Sequence, residues 1–89
     1  MNIENVPQTA LKVWEHIMIE GLKTHIKNDW KWISKEEHLK HFFIHFNSYM
    51  EGNLIDEDTG DTHLSHAFCR LGFILDNDLN GRGANQEVT

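Results

Sequence analysis

The chain has 89 residues, 39% of them hydrophobic, and a formal net charge of −6. That bounds it to one domain, small enough for a lone core to be marginal, so assembly into a homo-oligomer is expected. The negative balance argues against gripping a nucleic-acid backbone, and no apolar run approaches the roughly 18 residues of a membrane span. The opening MNIENVPQTA lacks the pattern of a signal peptide. A single cysteine, Cys69, fits a reducing cytoplasm.

Pro7 suits the first turn of a helix. Ala10, Trp14, Ile17 and Gly21 then share a stripe, with Leu11, Met18 and Leu22 beside it, which predicts an amphipathic helix from about residue 7 to about residue 25. Gly21 inside that helix is costly by propensity and is a candidate for close approach of another backbone. The segment from Lys27 to Trp32 breaks the pattern and reads as a loop carrying two tryptophans. Ser34 to Glu37 is a capping box that opens a second helix, with Leu39, Phe42, Phe43, Phe46 and Met50 as its core stripe. Gly52 is placed to end it. A short acidic loop follows, from Asn53 to Gly60, and Asp61 or Thr62 caps a third helix. Its core stripe reads Leu64, Ala67, Phe68, Leu71 and Leu75, and it runs to about Leu79. Cys69 reads as a packed thiol. The fold class is therefore all-α, a three-helix domain over residues 1–79 whose last two helices pair as an antiparallel hairpin. Residues 80–89 form a polar tail expected to fray.

Five of the seven histidines, His38, His41, His45, His63 and His66, fall at helical spacing on the two helices of that hairpin. A fold needs apolar residues at such spacing and does not need imidazoles. His38, His41 and His45 share a stripe that flanks the phenylalanines, and His63, His66 and Arg70 form a matching one. Counting rise per residue from the loop puts His45 and His66 at one height, and His41 and Arg70 at another. Three readings compete. The rings are polar flanks of the core; or they bind a divalent metal with Asp56, Asp58, His63 and His66 as the set; or they line an anion pocket with Lys40, Arg70 and the start of the third helix. Asp56, Asp58 and Gly60 do not complete a calcium loop, because the glycine is one place early and its twelfth position is Ala67. There is no HExxH and no Gly-rich phosphate loop.

His45-Phe46, Tyr49, then Gly52-x-x-Ile55-Asp56-x-Asp58-Thr59-Gly60-x-x-His63-Leu64-x-His66-Ala67 resembles a family of small phage proteins, the amino-terminal domain of dATP/dGTP diphosphohydrolases. Gly21-x-Lys23 and Asn28-x-Trp30 are similar to its glycine-lysine and Asn-Trp segment. The likeness covers about residues 7 to 79. The chain departs from the family pattern at Ile44, where the family has arginine, and at Asn53-Leu54, where it has Glu-Asp. All-α pyrophosphatases hold magnesium with EExxE on one helix and ExxD on the next. Here Glu36-Glu37 is followed by His38, Leu39 and Lys40, and the third helix has no ExxD. The resemblance thus implies recognition of a nucleotide more firmly than its hydrolysis.

The expected function is binding of a nucleotide-like small molecule in a histidine-rich pocket, by sequestration rather than cleavage. A nucleotide-derived immune signal is the concrete example, in the host cytoplasm if the chain is phage-encoded. The expected pocket is Trp30, His41, His45, Tyr49, His63, His66 and Arg70, with no cofactor and no catalytic residue. Imidazoles gripping phosphate should bind better as pH falls from about 8 to about 6. The alternative is a metal-dependent nucleotide phosphohydrolase using a divalent ion.

Overall fold

The computed structural model describes residues 5–82. They form three α-helices, α1 (Gln8–Gly21), α2 (Lys35–Met50) and α3 (His63–Leu79), with a short 3-10 turn at Asp29–Lys31 before α2. The all-α class and the α2–α3 hairpin are as expected. None of the described helices is long and apolar enough to cross a membrane.

The helix ends follow local chemistry. Ser34 Oγ accepts the Glu37 N–H at 3.2 Å and Thr62 Oγ1 accepts the Ser65 N–H at 3.1 Å, each satisfying an amide with no helical partner. The other half of the expected capping box is absent, because the Glu37 carboxylate turns along the helix to His41 Nε2 at 2.8 Å. At the end of α2, Gly52 has φ +90° and the Gly52 and Asn53 amides return to the Tyr49 and Ser48 carbonyls. This is a Schellman closure, which needs a residue without Cβ at that φ. α1 stops at Gly21, earlier than expected, and the chain turns through His25, whose N–H reaches the Gly21 carbonyl.

α3 is the central element, packed by both α1 and α2. At about 100° per residue it has three sides. Trp14 of α1 covers one, edge-on to Phe68 at 5.3 Å and tilted against Phe73 at 6.4 Å. α2 covers the side of His63, His66, Ala67 and Arg70. The third side, Leu64, Leu71 and Leu75 with the flank of Phe68, is left 39–59% exposed. The expected α3 core stripe is thus corrected: of its members only Ala67 is buried, because the helix has two partners and neither lies against the leucines. On α2, Phe43 and Met50 are likewise turned outward, while Leu39, Phe42 and Phe46 stay half-buried.

The centre is partly polar. His38 is fully buried, and Asn77 is 3% exposed. The Trp30 carbonyl accepts from His38 Nε2 at 2.9 Å and from Asn77 Nδ2 at 3.3 Å, so one backbone oxygen ties the 3-10 turn to α2 and α3. Arg70 Nη1 donates to His38 Nδ1 at 3.0 Å. These bonds set the His38 tautomer, with its proton on Nε2. The expectation that His38 only flanks the core is therefore corrected. Arg82 donates to Asn77 Oδ1 at 2.9 Å, pairs with Asp76, and lies over the Trp30 ring. Residues 83–89 of the expected tail lie outside the described residues.

Close approach belongs to Gly72 rather than Gly21. A Cβ on Gly21 would meet open space, whereas one on Gly72 would strike the six-membered ring of Trp14. Gly72→Ala gains about 1 kcal/mol of helix propensity but displaces Trp14 from Phe68 and Phe73, an overpacking cost of about 1–3 kcal/mol. The clash should win. Chemical denaturation should show a lower midpoint for Gly72→Ala and no loss for Gly21→Ala.

Candidate functional site

The loop after α2 sets the site. The Asp56 N–H reaches the Asp61 carbonyl at 2.8 Å, and the His63 N–H reaches the Leu54 carbonyl at 2.9 Å. The loop therefore folds back on the start of α3. Asp56 is held at both carboxylate oxygens: the Asp58 N–H donates to Oδ1 at 3.1 Å and the Thr59 hydroxyl to Oδ2 at 3.2 Å. Thr59 Oγ1 accepts from the Asp61 N–H at 3.2 Å and, with its own proton spent on Asp56, from His66 Nε2 at 2.9 Å.

Three imidazoles converge beside that loop. His45 stacks on His66, with centroids 4.7 Å apart and planes at 24°. His45 Nδ1 lies 2.9 Å from His63 Nδ1, so one of the two donates to the other. The equal height expected for His45 and His66 is realised as a direct stack. Arg70 donates to His38, and His41 is paired with Glu37.

Burial holds His45 well below the usual imidazole range, at about 4, with His66 as the next cause. Burial also lowers His66 and His38, the former against the opposing pull of Asp56. Burial thus works against the cationic form of both rings, the form that a charged grip on phosphate would use. The same shifts fix an acid response. The unfolded chain, with imidazoles near 6.5, takes up protons that these folded rings refuse, so stability is intact above about 6.5 and falls as pH drops toward about 4. Melting curves at successive pH values should show the midpoint dropping within that window. Cys69, with its thiol pushed up to about 12 by burial, is an inert packed side chain.

A cleft of about 580 Å³ opens between the end of α1, the 3-10 turn and α3. It is lined by Gly21, Trp30, Asp61, His66, Arg70 and Phe73, among others, and its size is that of a small-molecule site. Of the acids lining it, Asp61 has His16 at 3.4 Å, Asp29 has His25 at 3.4 Å and Glu20 has Lys23 at 2.7 Å. Arg70 forms no ion pair among the described residues and uses one N–H on His38. Of the residues expected from sequence, Trp30, His66 and Arg70 line the cleft. His45 and His63 lie behind His66, His41 is on the outer side with Glu37, and Tyr49 is 37% exposed beside Phe46. Trp30 is stacked on Phe73 at 5.0 Å with planes at 12°. Its ring is thus already engaged by Phe73 and Arg82. Sequence reading missed His16, which reaches Asp61 from within α1 and carried no signal beyond a polar residue on an amphipathic helix.

The described residues thus form a three-helix domain that gathers imidazoles and an anchored carboxylate beside the loop, with the Arg70 guanidinium on the cleft wall. The family model described as dATP/dGTP diphosphohydrolase, N-terminal, matches residues 1–87, and the chain belongs to that family. Comparison with curated proteins and with solved structures returned no match.

Proposed function

We propose that the chain is a nucleotide-recognition domain that holds a nucleotide-like molecule in the cleft without cleaving it. The observation that carries this is Arg70, a half-buried guanidinium without a carboxylate partner on the wall of a mostly apolar cleft. A buried cation needs an anion, and a guanidinium offers phosphate a bidentate fork. Ile17, Ile33 and Phe73 give a planar base an apolar wall. His66 is a hydrogen-bonding group on its wall. The family's description names dATP and dGTP, which supports a purine nucleotide. Sequestration is favoured over turnover by the lack of EExxE and ExxD. The exposed row Leu64, Phe68, Leu71, Leu75 and Leu79 supports assembly with further copies.

A second reading, metal-dependent phosphohydrolysis, draws on the activity in the family's description. One experiment separates the two. The chain is incubated with purine and pyrimidine nucleotides and divalent ions, desalted, weighed by native mass spectrometry, then denatured and its ligand run by chromatography. Intact purine nucleotide released on denaturation is the expected result. Nucleoside monophosphate in the supernatant would replace sequestration with hydrolysis, and no retained nucleotide would overturn the reading.

A further inference from the structure

We infer that His45, Asp56 and His63 form a binding site for one divalent transition-metal ion of the zinc class. One ligand atom from each of the three lies within 4.8 Å of the other two. Around a four-coordinate zinc at 2.0–2.1 Å, ligand atoms stand about 3.3 Å apart. The His45 Nδ1 to His63 Nδ1 separation of 2.9 Å is already near that spacing. Binding would therefore spread those nitrogens slightly and draw the carboxylate inward.

The three ligands come from separate elements, the middle of α2, the loop and the first residue of α3. They are fixed from behind. The Asp58 N–H and Thr59 hydroxyl orient the Asp56 carboxylate, and His66 holds Thr59. Such outer groups orient metal ligands and tune their basicity. The set differs from the one expected from sequence. His45 joins Asp56 and His63, while Asp58 contributes its backbone and His66 acts through Thr59.

Charge points the same way. The Asp56 side chain is only 14% exposed, and its one ion-pair neighbour among the described residues is His66 at 3.6 Å. No lysine or arginine among them pairs with it. A shielded carboxylate beside this imidazole pair lacks a cation, and an incoming ion would replace the proton now shared between the two Nδ1 atoms. Two nitrogen donors favour a borderline ion over magnesium or calcium, which prefer oxygen. Three protein ligands leave a fourth position open, as in zinc sites that bind water or an anionic oxygen. Asp56 and His63 also line a shallow depression with the loop from Gly52 to Asp58, which gives the ion a route in from solvent.

The site stands whether or not the Arg70 cleft takes a nucleotide, so the two are tested apart. Tag-free protein, stripped with chelator and dialysed, is titrated with Zn2+ against a chromophoric competitor, and Co2+ is substituted for its visible spectrum. One equivalent per chain is expected, with a raised melting midpoint. Asp56→Asn keeps the shape of the side chain and should weaken uptake by more than about 100-fold. His45→Gln should do the same. His41→Ala and His16→Ala should leave uptake unchanged, with helicity by circular dichroism checked for each. No uptake by the parent chain, or uptake that survives both Asp56→Asn and His45→Gln, would overturn the site. Uptake abolished by His41→Ala or His16→Ala would overturn it as well.

Discussion

His38→Ala should be the most destabilising single change in the chain, lowering stability by about 3 kcal/mol or more. The ring is fully buried and lies 5.3 Å from Phe73, so its removal leaves a cavity in the tightest part of the fold. It also takes away the donor to the Trp30 carbonyl and the acceptor of Arg70. Each lost hydrogen bond costs about 1 kcal/mol, and an orphaned buried partner more. Asn77 keeps one bond to the Trp30 oxygen, so the 3-10 turn should loosen without detaching. For a domain of this size the shift corresponds to about 15 °C in melting midpoint. His41→Ala gives the contrast: its ring is half-buried and, among the described residues, paired to the exposed Glu37, an i, i+4 contact worth about 0.3–0.5 kcal/mol. Two histidines three residues apart should thus differ several-fold in effect. Equal small effects would remove His38 from the centre of the fold.

Arg70→Ala should cut the affinity for a purine nucleoside triphosphate by about 10- to 100-fold. Charge-assisted hydrogen bonds to a buried cation are worth about 1.5–3 kcal/mol, and each 1.4 kcal/mol is tenfold. Because Arg70 also donates to His38, the variant should lose about 1 kcal/mol of stability as well. Arg70→Lys keeps the charge and loses the planar fork, so its affinity should fall between the two. Calorimetric titration under conditions where circular dichroism shows intact helices reads the effect. Equal affinity in all three chains would take phosphate recognition away from Arg70.

The capped ends, the start and finish of α2 and the start of α3, were the most legible part of the sequence, because caps are local. Ser34, Gly52 and Thr62 act within three or four residues of themselves, and each does what its type implies. The His45–His66 stack was legible for a related reason. In a hairpin, counting outward from the loop sets height, and the loop is short. Rotation about the helix axis was not legible. α3 carries apolar residues on more than one side, and the leucines, the strongest hydrophobic signal, face neither partner. The inward face of α2 was misread for a similar reason, with phenylalanines outweighing a histidine that in fact sits at the centre. The acceptor that buries His38 is the Trp30 backbone oxygen, which every residue type possesses. Gly72 was overlooked beside Gly21 because close approach depends on which side chain, here Trp14, lies opposite.

Nucleotide binding at the cleft is read most directly by amide and indole chemical-shift mapping on the isotope-labelled chain during titration with dATP and dGTP. Saturable shifts are expected at Gly21, the Trp30 indole, His66 and Arg70, which border the cleft, and none at Met50 or Leu54 at the far end of the hairpin. A titration that leaves the cleft signals unmoved, or shifts the Met50 end instead, would contradict binding at the cleft.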